Sequence, residues 1–168
     1  MDLPAVLTDA YDRIRASVHG VLDDLPAEGL TYRVDDGANT IAWLIWHLTR
    51  VQDDHVADVA GTEQTWTAQG WQERFGLPFS VGATGYGQSP DEVAQVDVSG
   101  DLLAGYYDAV HEQTLRYIAG LSEADLDRIV DERWDPPVSL GVRLISVLDD
   151  DLEHVGQAAF IKGAYLRR

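Results

Sequence analysis

The chain contains no cysteine. Disulfides, thiolate metal ligands and a cysteine nucleophile are excluded, and any thiol chemistry must use a thiol from outside the protein. Basic residues are scarce, with 12 lysines and arginines against 29 acids and a formal net charge of −17. Binding DNA or RNA through phosphates needs a basic surface that this chain does not have, and an anionic membrane is disfavoured for the same reason. Long apolar runs are missing too: none approaches the length that crosses a bilayer, and the start Met1-Asp-Leu-Pro4 lacks the basic and apolar stretches of a signal peptide. A cytoplasmic location is expected, with neither nucleic acid nor membrane among the partners. Lysine is almost absent, Lys162 being the single one, a bias that suggests a GC-rich genome.

What is present suffices for a core. Hydrophobic residues make up 45% of 168 residues, the usual share for a globular protein, and the length fits one domain over residues 1–168. From about Leu3 to Leu25 apolar residues recur at Val6, Leu7, Ala10, Ile14, Val18, Val21 and Leu22. Spacings of three and four predict an amphipathic helix, begun by Pro4 and ended by Pro26. A second helix is predicted over Thr40–Ala60, capped by Asn39 or Thr40 and stopped by Gly61. Its first half, Ile41-Ala-Trp-Leu-Ile-Trp46, is apolar nearly all round and therefore buried on several sides. A third helix is predicted over Ser99–Leu121, and a last one from Ser139–Val142 to about Leu166. Ser122-Glu-Ala-Asp125 is a capping box for a short helix to about Val130, and Arg133–Pro137 reads as extended.

Between the second and third helices, residues 62–100 change character. Trp66, Trp71, Phe75, Phe79 and Tyr86 alternate with glycines and prolines. Aromatics argue against disorder, so this is expected to be an ordered functional loop forming a pocket wall, with a short helix near Gly70–Phe75. Four long helices and no strand pattern give an all-α four-helix bundle with a long aromatic, glycine-rich loop.

Ligand-type residues sit on the second and fourth helices. Asp150 and His154 stand at i and i+4, so both reach one helical face, and His47 lies in the buried part of the second helix. If the two helices face each other, His47, Asp150 and His154 supply three ligands to one ion, as bundle metal sites do. The alternative is ordinary: a buried His47 satisfied by one carboxylate, and an acid–imidazole pair on a solvated face. Asp151, three residues before His154, could replace Asp150 as the carboxylate. Around this set, Asp54 could accept a hydrogen bond from a ligand imidazole, and Gln157 could orient water or substrate. Arg143 and Arg50 are candidates for an anionic substrate group. His55 and Trp43 complete the residues beside the site, while His19 and His111 read as packing or hydrogen-bonded histidines.

The segments Ile41-Ala-Trp-Leu-Ile-Trp-His-Leu-Thr-Arg50 and Asp150-Asp-Leu-Glu-His-Val-Gly-Gln157 resemble the DinB superfamily, in its branch of DinB-like and DUF664 proteins. The resemblance implies an up-down-down-up four-helix bundle holding a divalent metal through one residue of the second helix and two of the fourth. By position these are His47, Asp150 and His154. Many members carry His-x-x-x-His on the fourth helix; Asp150 here is closer to the Glu-x-x-x-His of mycothiol-dependent maleylpyruvate isomerases. The resemblance further implies zinc first, with nickel, manganese or iron as alternatives. It also implies mycothiol or a similar low-molecular-weight thiol acting on a small electrophile as S-transferase or isomerase, and pairing as a homodimer. A metal-dependent hydrolase or oxygenase, and a non-catalytic metal-binding or stress-response protein, are the competing readings.

Overall fold

The computed structural model describes residues 2–168, so the first residue, part of the start read above for a leader, lies outside it. The protein is mostly helical. Four long helices dominate: α1 (Leu3–Leu22), α3 (Ile41–Ala60), α7 (Gly100–Ala119) and α8 (Leu140–Leu166). Four short ones lie between them: α2 (Ala27–Leu30), α4 (Thr65–Ala68), α5 (Trp71–Phe75) and α6 (Pro90–Val93). α1 and α3 each pack against both α7 and α8. One core fills the space between them, with Tyr11, Ile14, Leu44, Ile45, Tyr106 and Leu144 sealed from solvent.

Local chemistry explains the boundaries. Side-chain oxygens of Asp2, Thr40, Ser99 and Ser139 accept the first free backbone N–H groups of the four long helices. Gly61 ends α3 in the left-handed conformation. α1 stops at Leu22, three residues short of the sequence expectation, because Asp24 turns the chain with φ 56° just ahead of Pro26. The 3-10 turn Glu123–Asp127 replaces the short helix expected to Val130, with the capping box at Ser122 and Asp125 intact. A two-stranded antiparallel hairpin, β1 (Ile129–Asp131) with β2 (Val138–Ser139), was not expected from the sequence. Two strands this short are too brief to show an alternation. No helix among the described residues is long and apolar enough to cross a membrane.

α3 and α8 run antiparallel. His47 meets His154 while His55, eight residues on, meets Arg143, which precedes His154. Their contact seam positions the candidate site.

Candidate metal centre

His47 is the seventh residue of α3, directly after the apolar run Ile41–Trp46, and is 6% exposed. Its Nδ1–H donates to the Thr84 carbonyl at 2.5 Å, which leaves Nε2 as the nitrogen with a free lone pair. Across the seam, His154 Nδ1 pairs with Gln157 Oε1 at 3.1 Å, an acceptor that fixes Nδ1 as the donor and leaves Nε2 free again. That Nε2 lies 3.6 Å from Asp150 Oδ1. The two imidazoles stand 4.8 Å apart between ring centres, and one ligand atom from each of His47, Asp150 and His154 lies within 4.8 Å of the others. This cluster could hold a metal ion.

The electrostatics ask for a cation there. Two lone pairs, on His154 Nε2 and Asp150 Oδ1, face each other, and Asp150 Oδ2 is buried with no hydrogen-bond partner among the described residues. A buried acceptor left unmatched costs about 1–3 kcal/mol, so a proton or a metal ion between these atoms is stabilising. The titration directions agree. The Asp150 carboxylate beside it raises the pKa of His154 above its ordinary value, outweighing burial. Burial lowers that of His47, keeping it a neutral donor of electrons. Two imidazoles and a carboxylate suit zinc and other borderline divalent ions, and three protein ligands leave a coordination position open.

The 62–100 segment, expected as a pocket wall, packs Trp66, Trp71 and Phe75 into the core and also reaches the candidate ligands. It supplies the carbonyl that orients His47, and it does so through a glycine that admits no side chain. Gly85 has φ 100°, and a Cβ there would come within 2.8 Å of His47 Nδ1, 3.0 Å of Trp43 and 3.1 Å of Trp46. Trp43 stacks on the His47 ring at 4.6 Å and donates its indole N–H to Gln88 Oε1 at 2.7 Å, tying the loop to α3 a second time. Neither Thr84 nor Gln88 carries a motif, and the only sequence signal was the glycine run around Tyr86.

A buried network anchors the same segment from below. Asp53, 3% exposed, accepts the backbone N–H groups of Thr65 and Trp66 at 2.8 Å each, capping α4 from twelve residues away. It also accepts the Tyr106 hydroxyl at 2.7 Å. Arg50, fully buried, faces Asp53 at 3.5 Å, donates to the Ala83 carbonyl at 3.1 Å and lies over the Trp66 ring. Arg50 is therefore engaged structurally and is not available to an anionic substrate. Trp66, Phe75 and Trp71 pack around Tyr106 above it.

The remaining candidates divide between the site and its flanks. Asp54 does not reach a ligand imidazole; it accepts from Gln64 Nε2 at 2.7 Å. His55 takes the Arg143 guanidinium on Nδ1 at 2.9 Å, and Arg143 continues to Asp131 at 3.2 Å. Burial, then Arg143, lowers the pKa of His55. Asp151 is sealed in the core, away from the two imidazoles, and burial pushes its pKa well up; the carboxylate beside them is that of Asp150. His111 pairs with Asp12, and His19 with Asp108, both away from this seam.

The family model of the DinB superfamily matches residues 10–158. A similar solved structure, the conserved protein of locus from Enterococcus faecalis, is 26% identical and superposes with a TM-score of 0.93 over 100% of this chain and 99% of that one. No curated protein matches the chain.

Proposed function

From its membership of the DinB superfamily, to which the chain belongs, and from the converging lone pairs of His47, Asp150 and His154, we propose a divalent-metal-dependent enzyme that uses an external thiol on a small electrophile. The four long helices then form the up-down-down-up bundle of that family. Zinc is the ion the donor set suits first, with nickel, manganese or iron as alternatives, and mycothiol or a thiol of that kind is the co-substrate. When bound, such an ion lowers the pKa of a coordinated thiol or water so that it is a nucleophile at neutral pH.

The chain's own residues supply the rest. Thr84 and Gln157 hold the two imidazoles in one tautomer, so neither ring has to rotate to present Nε2. Trp43 covers one face of His47 and excludes water from it. Arg143, seven residues before Asp150 on α8, is held by His55 and Asp131 and would have to exchange one of them to meet a polar substrate group. The observation that carries the proposal is the pair of acceptors facing each other at 3.6 Å, His154 Nε2 and Asp150 Oδ1, next to the buried and unmatched Asp150 Oδ2.

Elemental analysis of protein purified without chelator or affinity-tag metal tests it, beside His154→Ala. About one equivalent of zinc, nickel, manganese or iron is expected in the parent and none in the variant. The cobalt-loaded parent should then change its visible spectrum on adding a thiol. A folded parent that neither contains nor takes up metal would sink the proposal.

A further inference from the structure

Three polar side chains meet inside the bundle, one from each of three helices: Tyr11 of α1, Tyr107 of α7 and Asp151 of α8. Each is sealed from solvent, at 0% exposure. Burial, then the charge on Asp151, pushes the pKa of both tyrosines well up, and Tyr11 acts on Tyr107 as well. The three are therefore neighbours. None of them bonds to another, however. Both carboxylate oxygens of Asp151 and the hydroxyls of Tyr11 and Tyr107 have no hydrogen-bond partner among the described residues. Nor does a cation sit beside the carboxyl: the charge that acts on it is that of Asp150, of its own sign.

Folded proteins match nearly all their buried polar atoms, and four unmatched ones in a single place ask for a shared partner. That partner has to serve two kinds of group. Carboxylate oxygens accept, whereas each phenol has a hydrogen to donate and lone pairs besides. A bare cation would meet the oxygens and leave both phenol hydrogens buried and unmatched. An anion would face Asp151, and an apolar molecule would satisfy nothing. Water donates twice and accepts twice, and it serves the carboxyl whether or not that group carries its proton. We infer that the bundle holds a resident water between Tyr11, Tyr107 and Asp151, a polar joint that ties α1, α7 and α8 together at one point. The site is separate from the candidate metal centre, because Asp150 and Asp151 point about 100° apart around α8. It does not rest on the function proposed above.

Tyr11→Phe and Tyr107→Phe each delete one hydroxyl and keep the ring that fills the core. Oxygen-17 relaxation dispersion of the solvent counts the waters held for long times inside the full-length protein. The double variant should hold fewer of them than the parent. Urea unfolding supplies a second readout whose sign is decisive. A hydroxyl bonded to water lowers the unfolding midpoint when it is removed, whereas an unmatched one raises it. A lowered midpoint with an unchanged water count would mean direct bonds from the tyrosines to Asp151, and the inference would fail. A raised midpoint would also overturn it. Midpoints of the parent in sodium, potassium and choline chloride at equal ionic strength decide the competing occupant. Equal values are expected; a rise with sodium or potassium that the double variant lacks would place an ion there instead of water.

Discussion

Gly85→Ala is the substitution that probes the seam between loop and ligand most directly. An alanine at φ 100° is held in a region that costs a residue with a side chain on the order of 1–3 kcal/mol. Its methyl would also sit 2.8 Å from His47 Nδ1 and 3.0–3.1 Å from two indole rings, none of which can retreat in a packed interior. Overpacking of this kind adds about 1–3 kcal/mol. The sum, about 2–6 kcal/mol, is a large part of the stability of an ordinary domain. Gly87→Ala is the matched control: its φ is 75°, but nothing lies within 4 Å of the new Cβ, so it bears the backbone strain alone. Urea unfolding of both variants isolates the contact contribution as their difference. A zinc competition titration should show Gly85→Ala binding about 10- to 100-fold more weakly than Gly87→Ala, because the Thr84 carbonyl no longer holds the imidazole. If the two variants unfold alike and bind zinc alike, the loop does not orient His47 and the reasoning is refuted.

Asp53→Asn leaves Arg50 charged and buried without its partner, and should cost about 3–5 kcal/mol in urea unfolding; limited proteolysis should then cut first within residues 62–89. Gln157→Ala removes only the acceptor on His154 Nδ1, so zinc affinity should fall about 10-fold or more with the thermal transition little changed. His111 carries a pKa lowered by burial against the pull of Asp12. Its neutral form is the one the fold favours, so its share of stability is present above the unfolded value near 6.5 and is lost as pH falls through the folded one. Differential scanning calorimetry should show a smaller fall in transition temperature between pH 7.5 and 5 for His111→Leu than for the parent; an equal fall would remove His111 from the account.

The four long helices were legible because their apolar residues recur every three to four positions and their ends carry Thr40, Ser99, Ser139 and Gly61. The spacing of Asp150 and His154 likewise placed both on one face, and the fold brings His47 to them. The roles of adjacent acids were not legible. Asp53 and Asp54 differ by one position, about 100° around a helix, and only the fold shows that Asp53 caps a distant α4 while Asp54 meets Gln64. The same rotation separates Asp150 from the core-facing Asp151. The loop's part in orienting His47 was hidden for another reason: it is played by the backbone carbonyl of Thr84, as the anchoring of Arg50 is by that of Ala83, and any residue type possesses one. Arg50 read as a candidate for an anionic substrate group, with an ion-pair role as the alternative, because nothing local decides between them when the partners are a buried acid three residues on and a tyrosine from another helix.

The candidate ligands are also far apart along the chain, His47 near the start of α3 and Asp150 in the middle of α8. An ion joining them would close a loop of about 100 residues, and a covalent link of that span would restrict the unfolded chain by about 4–5 kcal/mol. A protein without cysteine would thereby possess a reversible cross-link between the two helices with the most extensive mutual packing, made and broken by ion supply where a disulfide answers to redox state. Its resistance to unfolding would rise with the logarithm of free metal concentration above the dissociation constant.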